Sequence, residues 1–196
     1  MTIPKQSNRR KELVSIAARL FKESSFDRTT VRMLASATGL KSGSLFHHFK
    51  DKEEILVAVI EGGLKKSIET IKRETAKVDQ PNLRLFASIH GHLETLHGEE
   101  KDAHIVSVTE WKSLSEGSKN HLIKLRDEYE AYWQKIVDDA IVANLLTGDP
   151  HLNRLFILGA LNWSIQWFKP DQGLSIKQLA YNFYQSLTHQ SIDSLS

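Results

Sequence analysis

His90, Glu94 and His97 stand four and three residues apart, with His92 between them and His104 further on. Imidazole and carboxylate at helical spacing could hold Zn²⁺ or Ni²⁺, as a metal sensor or a helical metallo-hydrolase would require. Gly98-Glu99 is expected to break the helix before His104, and the same side chains would also suit a solvated face. A second constellation mixes aromatic and polar groups: Glu110, Trp111, Arg126, Tyr129, Trp133, Asn162, Trp163, Gln166 and Trp167. Ligand pockets combine apolar walls with a few orienting polar groups. The competing reading is ordinary core. A third, "LKSGSLFHHFKDK" over residues 40–52, places small and cationic residues beside leucine and phenylalanine at helical spacing.

The elements that must position these groups read as helices throughout. Apolar residues at 13, 16, 17, 20 and 21 follow the 3.6-residue period, giving a first helix over about 5–24. Thr29 or Thr30 caps a second helix ended by Gly39, and a short third covers about 42–49. Asp51 with Glu54 resembles a capping box opening a long helix to about 77, with Gly62-Gly63 inside it as a soft point or a site of close packing. Five further helices are predicted, over about 81–96, 102–114, 118–146 and 150–168, and from a capping box at Ser175 and Gln178. The fold class is all-α with about nine helices.

Charge divides the chain. Residues 1–52 carry 11 Lys/Arg against 4 Asp/Glu, or +7, while the remainder carries 15 against 20, or −5. A basic first quarter on an acidic body points to a polyanion as partner of that quarter. With no cysteine, disulfides and thiolate metal sites are excluded. The N-terminus has no apolar signal core and no run is long enough to span a membrane, so a cytoplasmic protein is expected.

Within the basic quarter, Ala35, Gly39 and Leu45 have the spacing of two helices crossing steeply through a short turn. Leu45 and Phe49, four apart, would face the first two helices. Lys41, Ser42, Gly43, Ser44, Phe46, His47 and His48 fall on or beside the outward face. Short side chains there let a backbone approach a DNA major groove. Ser44 and His47 are candidates for base edges, Lys41, Ser42 and Lys52 for phosphates, and Thr29 and Thr30 for the neighbouring strand's backbone.

The stretch "TTVRMLASATGLKSGSLFHHFKDKEEIL" resembles the DNA-binding domain of TetR-family transcriptional regulators, over roughly residues 7–60. The family commonly has tyrosine where Phe46 stands, so its phosphate-contacting hydroxyl is absent here. The resemblance implies a helix-turn-helix DNA-binding domain over residues 1–52 and a helical ligand-binding and dimerisation domain over 53–196. It also implies a homodimer on a palindromic operator, released by a small-molecule inducer, with no cofactor and no catalytic activity. A dimer must hold its recognition helices about 34–36 Å apart. Phe156, Gly159, Ala160, Leu179, Phe183 and Leu187 are the seam candidates. The pattern "LGALNWSIQWF" followed by "GLS" resembles members that sense acyl-CoA thioesters, for which Lys65, Lys72, Arg84 and Lys169 are candidate phosphate cations. An architectural DNA binder is a further alternative, disfavoured by the acidic body.

Overall fold

Capping chemistry fixes where most helices begin. In a computed structural model, which describes residues 5–99, 101–170 and 172–192, Thr30 accepts a hydrogen bond from Met33 N–H at the start of the second helix. Asp51 accepts from Glu54 N–H at 2.8 Å, while the Glu54 carboxylate reaches back to Lys50 N–H. Asp149 accepts from Leu152 N–H, and Ser175 and Gln178 form the reciprocal capping box. Such caps satisfy amides that a helix start leaves without partners.

The described residues form nine α-helices and no strand: α1 (Lys5–Arg28), α2 (Val31–Ala37), α3 (Ser42–Leu45), α4 (Lys52–Thr75), α5 (Pro81–His97), α6 (Lys101–Thr109), α7 (Glu116–Val142), α8 (Pro150–Trp163) and α9 (Ile176–Thr188). Short 3-10 turns follow α6 at Trp111–Ser113 and α8 at Ser164–Gln166. The predicted helices ending near 114 and 168 are therefore shorter and finish in these tighter turns. α1 is interrupted at Ser25, whose φ of 63° breaks the regular helix, just past its predicted end. Gly98 ends α5, its N–H donating to the Glu94 carbonyl.

The chain divides into two compact units: Met1–Lys65 with Asp102–Leu125, and Lys66–Lys101 with Arg126–Ser196. In the first, Leu13, Ala17 and Phe21 of α1 close over Leu34, Leu45, Phe49 and the α4 residues Ile55, Leu56 and Val59. Val106, Leu114 and Leu122 complete that core. In the second, α5 packs against α8 and α9. Among the described residues no helix is long and apolar enough to cross a membrane.

The two adjacent glycines of α4 have different surroundings. A Cβ at Gly63 would lie 2.5 Å from the Ala103 carbonyl oxygen, so the glycine lets α4 and α6 touch backbone to backbone. A Cβ at Gly62 meets nothing within 4 Å. Gly62→Ala is expected to raise the unfolding free energy by about 0.5–1 kcal/mol, since alanine favours the helix. Gly63→Ala is expected to lower it by about 1–3 kcal/mol through overpacking against backbone. Urea unfolding of the two single variants checks both signs.

Candidate functional site

The turn between α2 and α3 is built from backbone. Gly39 takes φ +67°, a left-handed conformation that favours glycine. Leu40 N–H then closes on the Ala35 carbonyl at 2.9 Å, and Gly39 N–H on Ser36. The Thr38 hydroxyl donates to the Leu34 and Ala35 carbonyls, and Arg9 of α1 donates to the Thr38 carbonyl at 2.8 Å. Beneath α3, Leu45 and Phe49 are buried, and the Arg10 guanidinium lies 4.6 Å from the Phe49 ring centre.

This leaves Lys41, Ser42, Gly43, Phe46 and His47 exposed, with Ser44 and His48 partly so. A Cβ at Gly43 would meet nothing within 4 Å. Among the described residues no neighbour demands a small residue there, so the backbone is open to close approach. Thr30 is exposed at the start of α2, with Arg32 exposed beside it. Arg32 was not singled out from the sequence, where one arginine among many cations carries no marker.

Two predicted contact residues are placed differently. Thr29 is fully buried instead of lying on the surface, and its hydroxyl donates to the Ser25 carbonyl at 2.7 Å. Lys52 turns inward: its ammonium donates to the Phe26 and Thr29 carbonyls at 2.8 and 3.0 Å and lies 4.1 Å from the Phe26 ring centre. In this position it fastens the α1–α2 connection to the start of α4.

The body candidates fall into both units. Glu110 is buried and accepts from the Ser113 hydroxyl, and Trp111 packs on the core of the first unit. In the second unit, the His92 ring bridges the Tyr129 hydroxyl through Nδ1 and Asn162 Oδ1 through Nε2, the latter at 3.0 Å. Trp133 meets the His92 ring edge-on. Burial pushes His92 down to about 4 and raises Tyr129, so the ring is neutral and the phenol protonated. Arg126 pairs with Glu130. Trp163, Gln166 and Trp167 are exposed and do not join this group. His92 was noted in the sequence only as a neighbour of the other histidines; its partners lie 37 and 70 residues away.

The metal constellation does not assemble. His90 lies 3.5 Å from Glu94 and stacks on Phe86, whereas His97 is buried against the Ser164 hydroxyl at 2.7 Å and meets Phe168 edge-on. Helical rotation sends His97 to a different neighbour from His90, and among the described residues no three His, Asp or Glu side chains converge. The Ser164 hydroxyl itself donates to the Leu161 carbonyl. It therefore receives its bond from His97 and is not activated by it.

On the outer side of α8, Phe156, Trp163 and Leu152 are 67%, 66% and 63% exposed. Leu155 and Gly159 are exposed beside them, and Ala160 is partly buried. Leu179 faces inward instead of onto a seam, while Phe183 and Leu187 are half-buried.

A left-handed glycine turn, a one-turn helix with small polar residues outward and an apolar body helix facing out define a helix-turn-helix regulator. Residues 13–59 match the tetR family of bacterial regulatory proteins, and residues 78–190 match the tetracyclin repressor-like C-terminal domain. The chain belongs to the TetR family and is a DNA-binding transcriptional regulator. It is 26% identical to the HTH-type transcriptional repressor KstR2 of Mycolicibacterium smegmatis, covering 90% of this chain and 87% of that protein. It is 37% identical to the superantigen PfiT (95% and 98% covered, TM-score 0.77). It shares its fold with AibR, solved with isovaleryl coenzyme A and operator DNA, at 23% identity (92% and 98% covered, TM-score 0.85).

Lys52→Ala is expected to lower stability by about 1–3 kcal/mol by removing charge-assisted hydrogen bonds, while the slope of log affinity against log salt for DNA stays constant. A phosphate contact would instead reduce that slope by about 1. For His92, the folded ring rejects a proton that the unfolded chain accepts below its ordinary 6.5. Its contribution is thus complete above that pH and lost as pH falls towards 4, at up to about 1.4 kcal/mol per pH unit. Urea titrations at pH 7, 6 and 5 should show this loss, and His92→Gln should show a shallower one.

Proposed function

We propose that the chain is a dimeric, ligand-released repressor, acting in the cytoplasm and without catalytic activity. The observation that carries the DNA side is the exposed face from Lys41 to Ser44 and His47, with open space at Gly43. Ser44 and His47 read base edges there. Lys41, Ser42 and Thr30 hold phosphates, and exposed Phe46 packs on the sugar-phosphate backbone where the family's tyrosine would donate. Residues 1–52 carry the DNA reading, and 53–196 carry ligand binding and dimerisation.

Dimerisation is supported by the outer face of α8, where Phe156, Gly159 and Trp163 are exposed. A contiguous apolar face of this kind marks an interface. Phe183 and Leu187 extend the candidate seam. The inducer is an acyl-CoA thioester, a reading supported by the isovaleryl coenzyme A bound to AibR. Its orienting groups come from Tyr129, Trp133 and Asn162. The superantigen PfiT, at 37% identity, favours a second reading, in which the chain acts by binding another protein.

Selection from a random duplex pool by the purified protein separates these. An inverted repeat with half-sites one helical turn or a multiple apart is expected, and isovaleryl-CoA should release it. His47→Ala and Ser44→Ala should alter the preferred bases. Lys41→Ala should weaken all sequences alike and lower the salt slope by about 1. No enriched sequence would reject the regulator mechanism and leave the protein-binding reading.

A further inference from the structure

Ser25 holds a backbone conformation that glycine alone adopts readily. At φ 63° and ψ 161° a Cβ crowds the chain, so the conformation persists only where its surroundings impose it. Two residues impose it here. The Thr29 N–H and hydroxyl both close on the Ser25 carbonyl, at 3.2 and 2.7 Å. Lys52 spans the turn that Ser25 begins, its ammonium donating to the Phe26 and Thr29 carbonyls at the two ends. The same ammonium lies 4.1 Å from the centre of the Phe26 ring, which also packs on Phe21.

The residue after this turn is the exposed Thr30. The Thr29 carbonyl and the Thr30 N–H belong to one planar peptide unit, so a donor on the carbonyl fixes how the chain enters α2. On the far side of that unit the Thr30 N–H meets Met33 Sδ, and the Thr30 hydroxyl oxygen accepts from Met33 N–H. We propose that Lys52 is a positioning residue for operator binding: by gripping this peptide it holds the strained turn in the form that sets Thr30 against the DNA backbone. Without the ammonium, Ser25 leaves its costly φ and the turn relaxes. The first residue of α4 is thereby joined directly to the DNA-facing start of α2. The inference rests on the phosphate role given to Thr30 above.

The duplex selected by the wild type is the probe, with binding measured below the melting temperature of each full-length variant. Lys52→Met keeps an unbranched side chain on the Phe26 ring and removes the donor. It should weaken operator binding about tenfold, the worth of one hydrogen bond, at an unchanged salt slope. Ser25→Gly removes the strain that the lysine holds the turn against. It should recover most of the loss in Lys52→Met and change the wild type far less. Thr30→Val should weaken binding severalfold in the wild type and much less in Lys52→Met.

Full operator affinity in Lys52→Met overturns the proposal. A salt slope reduced by about 1 does so too, because Lys52 would then be a phosphate contact itself. Equal gains from Ser25→Gly in both backgrounds would assign the lysine to stability alone, which also overturns it. If Thr30→Val leaves wild-type affinity intact, the phosphate role of Thr30 fails and this proposal fails with it. A loss from Thr30→Val beside a neutral Lys52→Met sinks the positioning role alone.

Discussion

A helix of one turn cannot hold itself together in water, because nucleation fixes several backbone dihedrals in return for a single hydrogen bond. α3 has four residues, so its position depends on what lies under it. Leu45 and Phe49 supply that anchorage by burying their side chains against α1, α2 and α4. The surrounding architecture follows from this dependence. α1 supplies Arg9 and Arg10, which clamp the turn carbonyl and cover the Phe49 ring. The Gly39 turn sets the direction in which α3 leaves α2. With its inner side so engaged, α3 has only its small polar side left to offer a partner.

The same unit shows how cations divide between holding and touching. Lys52 has the charge and chain position of a phosphate contact, yet two backbone carbonyls and an aromatic face claim it. The Phe26 and Thr29 carbonyls at the α1–α2 connection take the half-buried ammonium as donor. Among the described residues nothing claims Lys41 in this way, and it stays exposed. A basic total over residues 1–52 therefore overstates the number of cations available to DNA.

In the second unit the problem is the reverse. Histidine, tyrosine and asparagine are carried into an apolar core, where each polar atom without a partner would be costly. The His92 chain satisfies them in series and fixes one protonation state. α8 contributes Asn162 to that inner chain and Phe156 and Trp163 to its outer side. One helix thus faces both the core and an exposed apolar surface, the proposed seam. Its apolar residues all round reflect those two demands.

Helix number, most boundaries and the location of the helix-turn-helix were legible in the sequence. They rest on local chemistry: caps at Thr30, Asp51, Asp149 and Ser175, a left-handed glycine at Gly39, and apolar periodicity. Such signals act within a few residues, so order along the chain suffices to read them. Only tertiary structure decided the burial of Thr29 and the inward turn of Lys52. Nor could spacing show that His90 and His97 find different neighbours, or that His92 meets Tyr129 and Asn162. Each of these depends on which distant segment lies opposite a side chain. The Gly62-Gly63 pair draws the line most sharply: two identical adjacent residues, of which one faces open space and the other the Ala103 carbonyl 40 positions along the chain. Local sequence sets backbone geometry, whereas side-chain contacts are set by the packing of helices that the sequence keeps far apart.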